Sequence, residues 1–274
     1  MDTYGFHTIH GRAAAIASGV KISKPELSVW VVTGDGDGLS IGGNHTIHML
    51  RRNLDLNVML FNNRIYGLTK GQYSPTSEVG KVTKSTPMGS LDIPFNPLSL
   101  ALGAGSTFVA RTIDKETKHL QSMIKESYDH KGTSFLEIYQ NCNIFNDGAF
   151  SPLTDRDTKL DNVLLLENGK PLVFGQDQSR GIRLDGNKPV IVELGKDWSE
   201  SDLLVHDSSD YVIASLLANM TYLPDFPDPL GVFYKIDAPT YEDMVVDQIE
   251  GAVKLKPKGN VQSILDSGDT WEVK

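Results

Sequence analysis

A single cysteine, Cys142, among 274 residues excludes an intrachain disulfide and places the chain, by composition, in a reducing compartment such as the cytoplasm. Long apolar runs are also missing. None reaches the ~18 residues needed to span a bilayer, and the first ten residues (MDTYGFHTIH) carry neither a basic start nor an apolar stretch, so neither a membrane span nor a signal peptide is expected. Positive charge is in deficit: 26 Lys+Arg stand against 35 Asp+Glu, for a net charge of −9. That balance repels phosphate backbones and anionic lipid, so nucleic acid and membranes are not expected partners. At this length folding buries roughly 70–75% of the extended chain's surface, so the core needs neither disulfides nor a structural metal.

The remaining text alternates helix-like and strand-like segments, the pattern of a mostly parallel sheet with helices on both faces. Residues 12–19 (RAAAIASG) read as a helix closed by glycine. Residues 27–33 (LSVWVVT) and 57–61 (NVMLF) read as buried strands, joined through a glycine loop and a short amphipathic helix carrying Ile47, Leu50 and Leu54. A polar stretch from Tyr66 to Asn96 is too long for a default connection and marks a functional loop. A helix over 97–102, a strand over 107–111, a helix over 116–130 and a strand over 134–139 (SFLEIY) continue the alternation. After residue 150 the texture changes. Asn168-Gly169 between two apolar runs predicts a hairpin over 163–174, and Asp185-Gly186-Asn187 predicts another over 182–192. A helix is expected over 209–218, followed by a segment broken by Pro224, Pro227 and Pro229. The expected organisation is therefore a ligand-binding α/β domain over 1–150 and a small β-rich C-terminal appendage and tail over 151–274.

The most informative segment is Thr33-Gly34-Asp35-Gly36-Asp37-Gly38, directly after a buried strand. A loop at the carboxyl end of a parallel strand presents backbone N–H groups to ligands, and its glycines allow close approach. Carboxylates there oppose a phosphate unless a cation lies between, so Asp35 suggests a divalent metal bridging to a diphosphate. Asn62 and Asn63, at the end of the next strand, offer further oxygen ligands on the same sheet edge. Better-known motifs fit less well. The dinucleotide fingerprint G-x-G-x-x-G meets Leu39 or Ile41 where its last glycine belongs, and an EF-hand meets Leu39 and Thr46 at its fifth and twelfth positions. Gly38-Leu39-Ser40-Ile41-Gly42 matches the serine-hydrolase elbow, with a downstream Asp and His206 as partners, but six residues separate Ser40 from the strand end at Thr33.

Gly34-Asp35-Gly36, 25 residues, then Asn62-Asn63 resembles the diphosphate-binding motif of thiamine diphosphate enzymes. The strings GDGDGLSIGGNHTIHMLRRN, NNRIYGLTKGQYSPTS and, upstream, YGFHTIHGRAAAIASGVK resemble the β subunits of 2-oxoacid:ferredoxin oxidoreductases, closely over residues 4 to about 150 and more loosely beyond. The resemblance implies a thiamine-diphosphate-binding fold and oxidative decarboxylation of a 2-oxoacid to acyl-CoA and CO2, with electrons passed to ferredoxin. The RRN and YGLTKGQYSPTS strings favour 2-oxoglutarate. It implies that Asp35, the Asn63 side chain and the Ile65 carbonyl hold Mg2+. Gly34, Gly36 and Asp37 would shape the diphosphate pocket, with Asn44, His45 and Thr69 along the cofactor. Leu68 and Lys70 fall where members differ in the substrate pocket, and His7, His10, Gly11 and Arg12 match a motif near the cofactor.

In that family a cysteine at the place of Cys142 is one of four ligands of a four-iron iron–sulfur cluster. The other three lie upstream of the HGR region and are not in this sequence, so the ligand set is incomplete and an N-terminally truncated chain is expected. The resemblance further implies a separate α subunit that completes the cofactor and substrate sites, with coenzyme A and ferredoxin as reaction partners. A chain of net charge −9 would need a local basic patch, or its partner, to receive an acidic ferredoxin. A non-redox thiamine diphosphate decarboxylase subunit, the Ser40 hydrolase and a non-catalytic scaffold are the alternatives.

Overall fold

In the computed structural model, which describes residues 3–256 and 259–273, the chain builds a six-stranded sheet and a separate three-stranded one. Helix α1 (Ala13–Ser23) leads into strand β1 (Val29–Gly34). A single π-helical turn (Asp37–Ile41) and α2 (Gly43–Arg52) follow; α2 ends at Asn53, in the left-handed conformation with φ 51°. Strand β2 (Leu56–Asn62) pairs in parallel with β1, setting Gly34 opposite Phe61. After the long loop come α3 (Pro97–Gly103), whose N-terminus is capped by Asn96 accepting from the Ser99 N–H, then β3 (Phe108–Ile113), α4 (Thr117–Asp129) and β4 (Ser134–Tyr139). Short helices α5 (Ser151–Thr154) and α6 (Lys159–Asn162) precede β5 (Val163–Leu166), β6 (Val173–Phe174), β7 (Arg180–Asp185) and β8 (Lys188–Glu193). The chain continues through α7 (Tyr211–Met220), β9 (Asp228–Lys235), α8 (Tyr241–Leu255) and α9 (Val261–Leu265).

The large sheet runs β1-β2-β4-β3-β9-β5, with β1 to β4 mutually parallel and β9 antiparallel to β3. Both of its faces are covered, and β2 shows how. Val58 and Leu60 belong to a core with α1, α2, α3 and α7, whereas Met59 and Phe61 pack with Leu120, Met123 and Ile124 of α4. Alternate side chains of a strand point to opposite faces, so a continuous apolar run is what such a strand requires. The expected α/β architecture with helices on both faces is therefore present.

The C-terminal half divides between the two sheets. β7 and β8 form the expected hairpin, turning at Gly186-Asn187, and β6 adds to it. The hairpin expected over 163–174 does not form. β5 instead pairs in parallel with β9 in the large sheet, while β6 pairs with β7 in the small one. The physical reason lies in burial: Leu164 is fully enclosed and Leu166 nearly so, and two strands alone could not cover them. The Asn168-Gly169 turn is real, with Gly169 at φ 76° and the Asn168 side chain accepting from the Ser208 N–H, but it changes sheets rather than folding a strand back on itself. Strand β9, hidden in the sequence by Pro229 and the two prolines just before it, lies inside the large sheet.

Candidate active site at the carboxyl edge of strands β1 and β2

Because β1 to β4 are parallel, the residues following Gly34, Asn62, Ile113 and Tyr139 emerge at one edge. Asp35 is the first residue past β1 and is 2% exposed. Its Oδ2 accepts two hydroxyls from the long loop, Ser74 Oγ at 2.5 Å and Thr76 Oγ1 at 2.5 Å. Among the described residues no lysine, arginine or histidine forms an ion pair with it. Burial raises the Asp35 carboxyl above its ordinary pKa, and the Ser74 and Thr76 hydroxyls pull it only partly back. A sheltered carboxylate without a protein counter-charge is the setting in which a hard divalent cation binds.

The Asn62-Asn63 pair splits its duties. Asn62, 2% exposed, faces away from solvent. Its amide donates to Glu137 Oε1 at 2.7 Å, and its carbonyl accepts from Thr76 Oγ1 at 2.9 Å and the Arg64 N–H at 3.2 Å. Asn63 is half-buried, and its Oδ1 accepts from the Ile65 N–H at 3.2 Å, which folds residues 63–65 into a corner. Arg64 at the bend has φ 56°, a conformation costly for any residue but glycine or asparagine. Its guanidinium lies 4.7 Å from the Phe150 ring centroid, and the Ser77 hydroxyl donates to its carbonyl at 2.7 Å. One carboxylate (Asp35), one amide (Asn63) and one main-chain carbonyl (Ile65) thus lie on segments leaving the same strand edge, and all three are oxygen donors of the kind that fits a hard divalent cation.

Gly36 is required by a close approach. Tyr66 donates its hydroxyl to the Gly36 carbonyl at 2.9 Å, and a Cβ on residue 36 would stand 2.2 Å from the Tyr66 ring. Tyr66 also lines an open cavity of about 420 Å³ beside the site, with Ser40, Tyr73, Ser74, Pro75, Asp92, Ile93 and Phe95.

The other residues singled out in the sequence fall in different surroundings. Asp37 opens the π-helical turn and does not line that cavity: Oδ1 accepts from the Gly11 N–H at 2.8 Å, Oδ2 from the Thr33 hydroxyl at 2.8 Å, and His10 Nδ1 lies 3.4 Å away. It fastens the segment holding His7, His10, Gly11 and Arg12 to the end of β1. Gly34 ends β1, and Asn44 and His45 occupy the first turn of α2, exposed and half-buried respectively. Leu68, Thr69 and Lys70 form an exposed turn closed by the Tyr66 to Gln72 bridge, and Leu68 is 77% exposed. Cys142 is half-buried in the turn after β4, at the same edge as Asp35. A four-iron cluster takes about four thiolates, so the residues of this chain do not fit one unaided.

The serine-hydrolase alternative fails on geometry. Ser40 lies inside the π-helical turn, and His206 is committed elsewhere, its Nε2 against the Val232 carbonyl at 2.8 Å. Reading by sequence missed the hydroxyls of Ser74 and Thr76, the role of Glu137, and Asn146. The only signal for the first two was the density of hydroxyl residues in SPTS, about 40 positions from the carboxylate they hold.

A strand-end carboxylate, an asparagine corner on the neighbouring strand and a glycine cleared for close approach define an α/β domain of the thiamine-diphosphate-binding class. Residues 1–138 match the family model described as "Thiamine pyrophosphate enzyme, C-terminal TPP binding domain". The chain is 48% identical over 277 residues to 2-oxoglutarate oxidoreductase subunit KorB of Mycobacterium tuberculosis, covering 100% of this chain and 74% of that one. It is 47% identical over 147 residues to the 2-oxoacid:ferredoxin oxidoreductase subunit beta of Saccharolobus solfataricus, covering 54% of this chain and 48% of that one. Among solved structures, the 2-oxoglutarate:ferredoxin oxidoreductase of Magnetococcus marinus, with 2-oxoglutarate, coenzyme A and succinyl-CoA bound, superposes with a TM-score of 0.74 at 31% identity, over 98% of this chain and 77% of that one. The chain belongs to the family of 2-oxoacid:ferredoxin oxidoreductase β subunits.

Proposed function

We propose that this chain is the diphosphate-binding β subunit of an enzyme that oxidatively decarboxylates 2-oxoglutarate to an acyl-CoA and CO2, with electrons delivered to ferredoxin. The observation that carries the reading is the buried Asp35 carboxylate, without a protein cation, beside the Asn63 to Ile65 corner. In this reading Asp35, Asn63 and the Ile65 carbonyl hold Mg2+ against the diphosphate of thiamine diphosphate. When bound, that cofactor supplies the nucleophilic and electron-accepting chemistry by which a 2-oxoacid loses CO2. The chain's own part is placement and electrostatics. Asp35 is held by Ser74 and Thr76 in one orientation, so no reorganisation is needed when the cation arrives. Gly34 and Gly36 shape the diphosphate pocket, Gly36 by leaving room for the Tyr66 ring that lies over it. Asn44, His45 and Thr69 border the cofactor. Leu68 and Lys70, exposed in this chain, meet the substrate at the junction with an α subunit, which supplies the rest of the pocket and the coenzyme A site. Cys142 joins an iron–sulfur cluster only with thiolates beyond those present here. The location is cytoplasmic; among the described residues no helix is long and apolar enough to cross a membrane.

The test is anaerobic co-expression with the α subunit and a viologen-reduction assay with coenzyme A and, in turn, 2-oxoglutarate, pyruvate and a branched 2-oxoacid. Reduction fastest with 2-oxoglutarate, and abolished by Asp35→Asn, is expected. A complex that binds thiamine diphosphate yet reduces viologen with none of the three refutes the reading.

A further inference from the structure

The corner at residues 63–65 is held from a direction the reading above leaves unused. Asn146, 6% exposed, belongs to the turn that begins at Cys142, which its own N–H closes by donating to the Cys142 carbonyl at 3.0 Å. Its side chain bridges two other segments. Nδ2 donates to the Asn63 carbonyl at 2.9 Å and reaches the Arg64 carbonyl at 3.5 Å, while Oδ1 accepts from the Lys81 ammonium in the long loop. A side chain here must donate towards main-chain oxygens and accept from a cation, and the amide does both from two separate atoms.

We propose that Asn146 is a positioning residue for the divalent-cation site. It holds the strained Asn63–Ile65 corner so that the Asn63 side chain and the Ile65 carbonyl face Asp35, and it makes the Cys142 turn and that corner one mechanical unit. The left-handed Arg64 bend would relax without an anchor, and Asn146 grips the carbonyls on either side of it. The inference rests on the proposed cation reading, so its test includes a readout independent of the cofactor.

The full chain, co-expressed with its α subunit, is compared with the same complex carrying Asn146→Asp or Asn146→Ala. Free Mn2+, standing in for Mg2+, is counted by electron paramagnetic resonance in the presence of excess thiamine diphosphate, and amide hydrogen exchange is followed over residues 63–66 and 134–139. Asn146→Asp keeps the size and shape of the side chain but turns the donor into a carboxylate facing two carbonyls. It is expected to weaken Mn2+ binding about 10–100-fold, the usual effect of removing a partner that orients a metal ligand, and at least as much as Asn146→Ala. Exchange at 63–66 rises while β4 stays protected and the thermal midpoint holds, since the new carboxylate pairs with Lys81. A role in packing alone would spare the isosteric Asp variant. Unchanged exchange at 63–66, or unchanged Mn2+ affinity in a parent chain that binds the ion, overturns the proposal. A parent that binds no Mn2+ with thiamine diphosphate while the Asp variant still loosens 63–66 refutes the cofactor reading and supports the anchor on its own.

Discussion

The ion pair between Arg111 and Glu137 is the most consequential buried contact behind the site. Arg111 Nε lies 2.6 Å from Glu137 Oε2, and the two side chains are 1% and 0% exposed. Glu137 Oε1 takes the Asn62 amide at 2.7 Å, and Arg111 Nη1 donates to the Thr221 hydroxyl at 2.7 Å. Burial alone would lower the pKa of Arg111. The Glu137 carboxylate, with Tyr139 and Asp228 adding to it, outweighs burial and holds the guanidinium above its ordinary value. Removing one member of a buried pair costs about 3–5 kcal/mol, because the other is left charged and dry. Glu137→Gln belongs at about 3 kcal/mol, since Asp228 still faces Arg111 and the Gln retains one hydrogen-bonding oxygen. Arg111→Met belongs at about 5 kcal/mol, since Glu137 loses its partner and the Thr221 hydroxyl loses its donor. The double variant leaves no unpaired member of the pair, so its loss should fall short of the sum of the single losses by about 2 kcal/mol. Guanidinium titrations of the four proteins measure all three quantities. Single losses below about 1 kcal/mol, or strict additivity, would refute the view that the pair acts as a unit.

Other expectations follow from single contacts. Gly36→Ala forces the Tyr66 ring from its place, costing about 1–3 kcal/mol of stability and, in calorimetric titration, most of the thiamine diphosphate affinity. Gly19→Ala on the exposed side of α1, where an added Cβ meets nothing within 4 Å, should instead raise stability by about 0.5–1 kcal/mol in the same denaturant assay. Thr76→Val removes a hydroxyl shared by Asp35 and Asn62 and should weaken Mn2+ binding about tenfold, with Thr76→Ser restoring it; equal affinities in both variants would count against the hydroxyl's role. Burial lowers the pKa of His130 and of His206, so the unfolded chain binds more protons than the folded one below their ordinary value. Their contribution is complete above pH 6.5 and is lost as the pH falls through it, by up to about 1.4 kcal/mol per pH unit for each histidine. Denaturation midpoints from pH 7.5 to 5.5 check the sign.

How much was legible depended on range. Strands β1 to β4 announced themselves because a parallel strand covered on both faces is mostly apolar, as VWVV, NVMLF, FVA and SFLEIY are apart from Asn57, Ser134 and Glu137. Asp35 and the asparagine pair were legible for a related reason, since a glycine-flanked carboxylate at a strand end has few structural uses. What the sequence concealed depends on distant partners. Asn-Gly signalled a turn at 168–169 but not which sheet each flanking strand would join. Three prolines disguised β9, and no local pattern announced that the Asp37 carboxylate accepts from both the Gly11 N–H and the Thr33 hydroxyl. The hydroxyl grip on Asp35 and the Asn146 bridge join residues 39 to 83 positions apart, and no local pattern reports such a meeting.

The place of β9 has a consequence for how the molecule is made. As the chain leaves the ribosome, β1 to β4 can pair with one another once residue 139 is out, and every cation ligand argued for here has emerged by then. Until residue 235 follows, however, β3 offers an open edge, and Arg111 lacks Thr221 and Asp228. An unpaired, largely apolar edge strand whose one charge lacks its later partners invites pairing with another nascent chain. The interval between those two residues is therefore when this protein is most exposed to aggregation, and slowing translation there should lower its soluble yield.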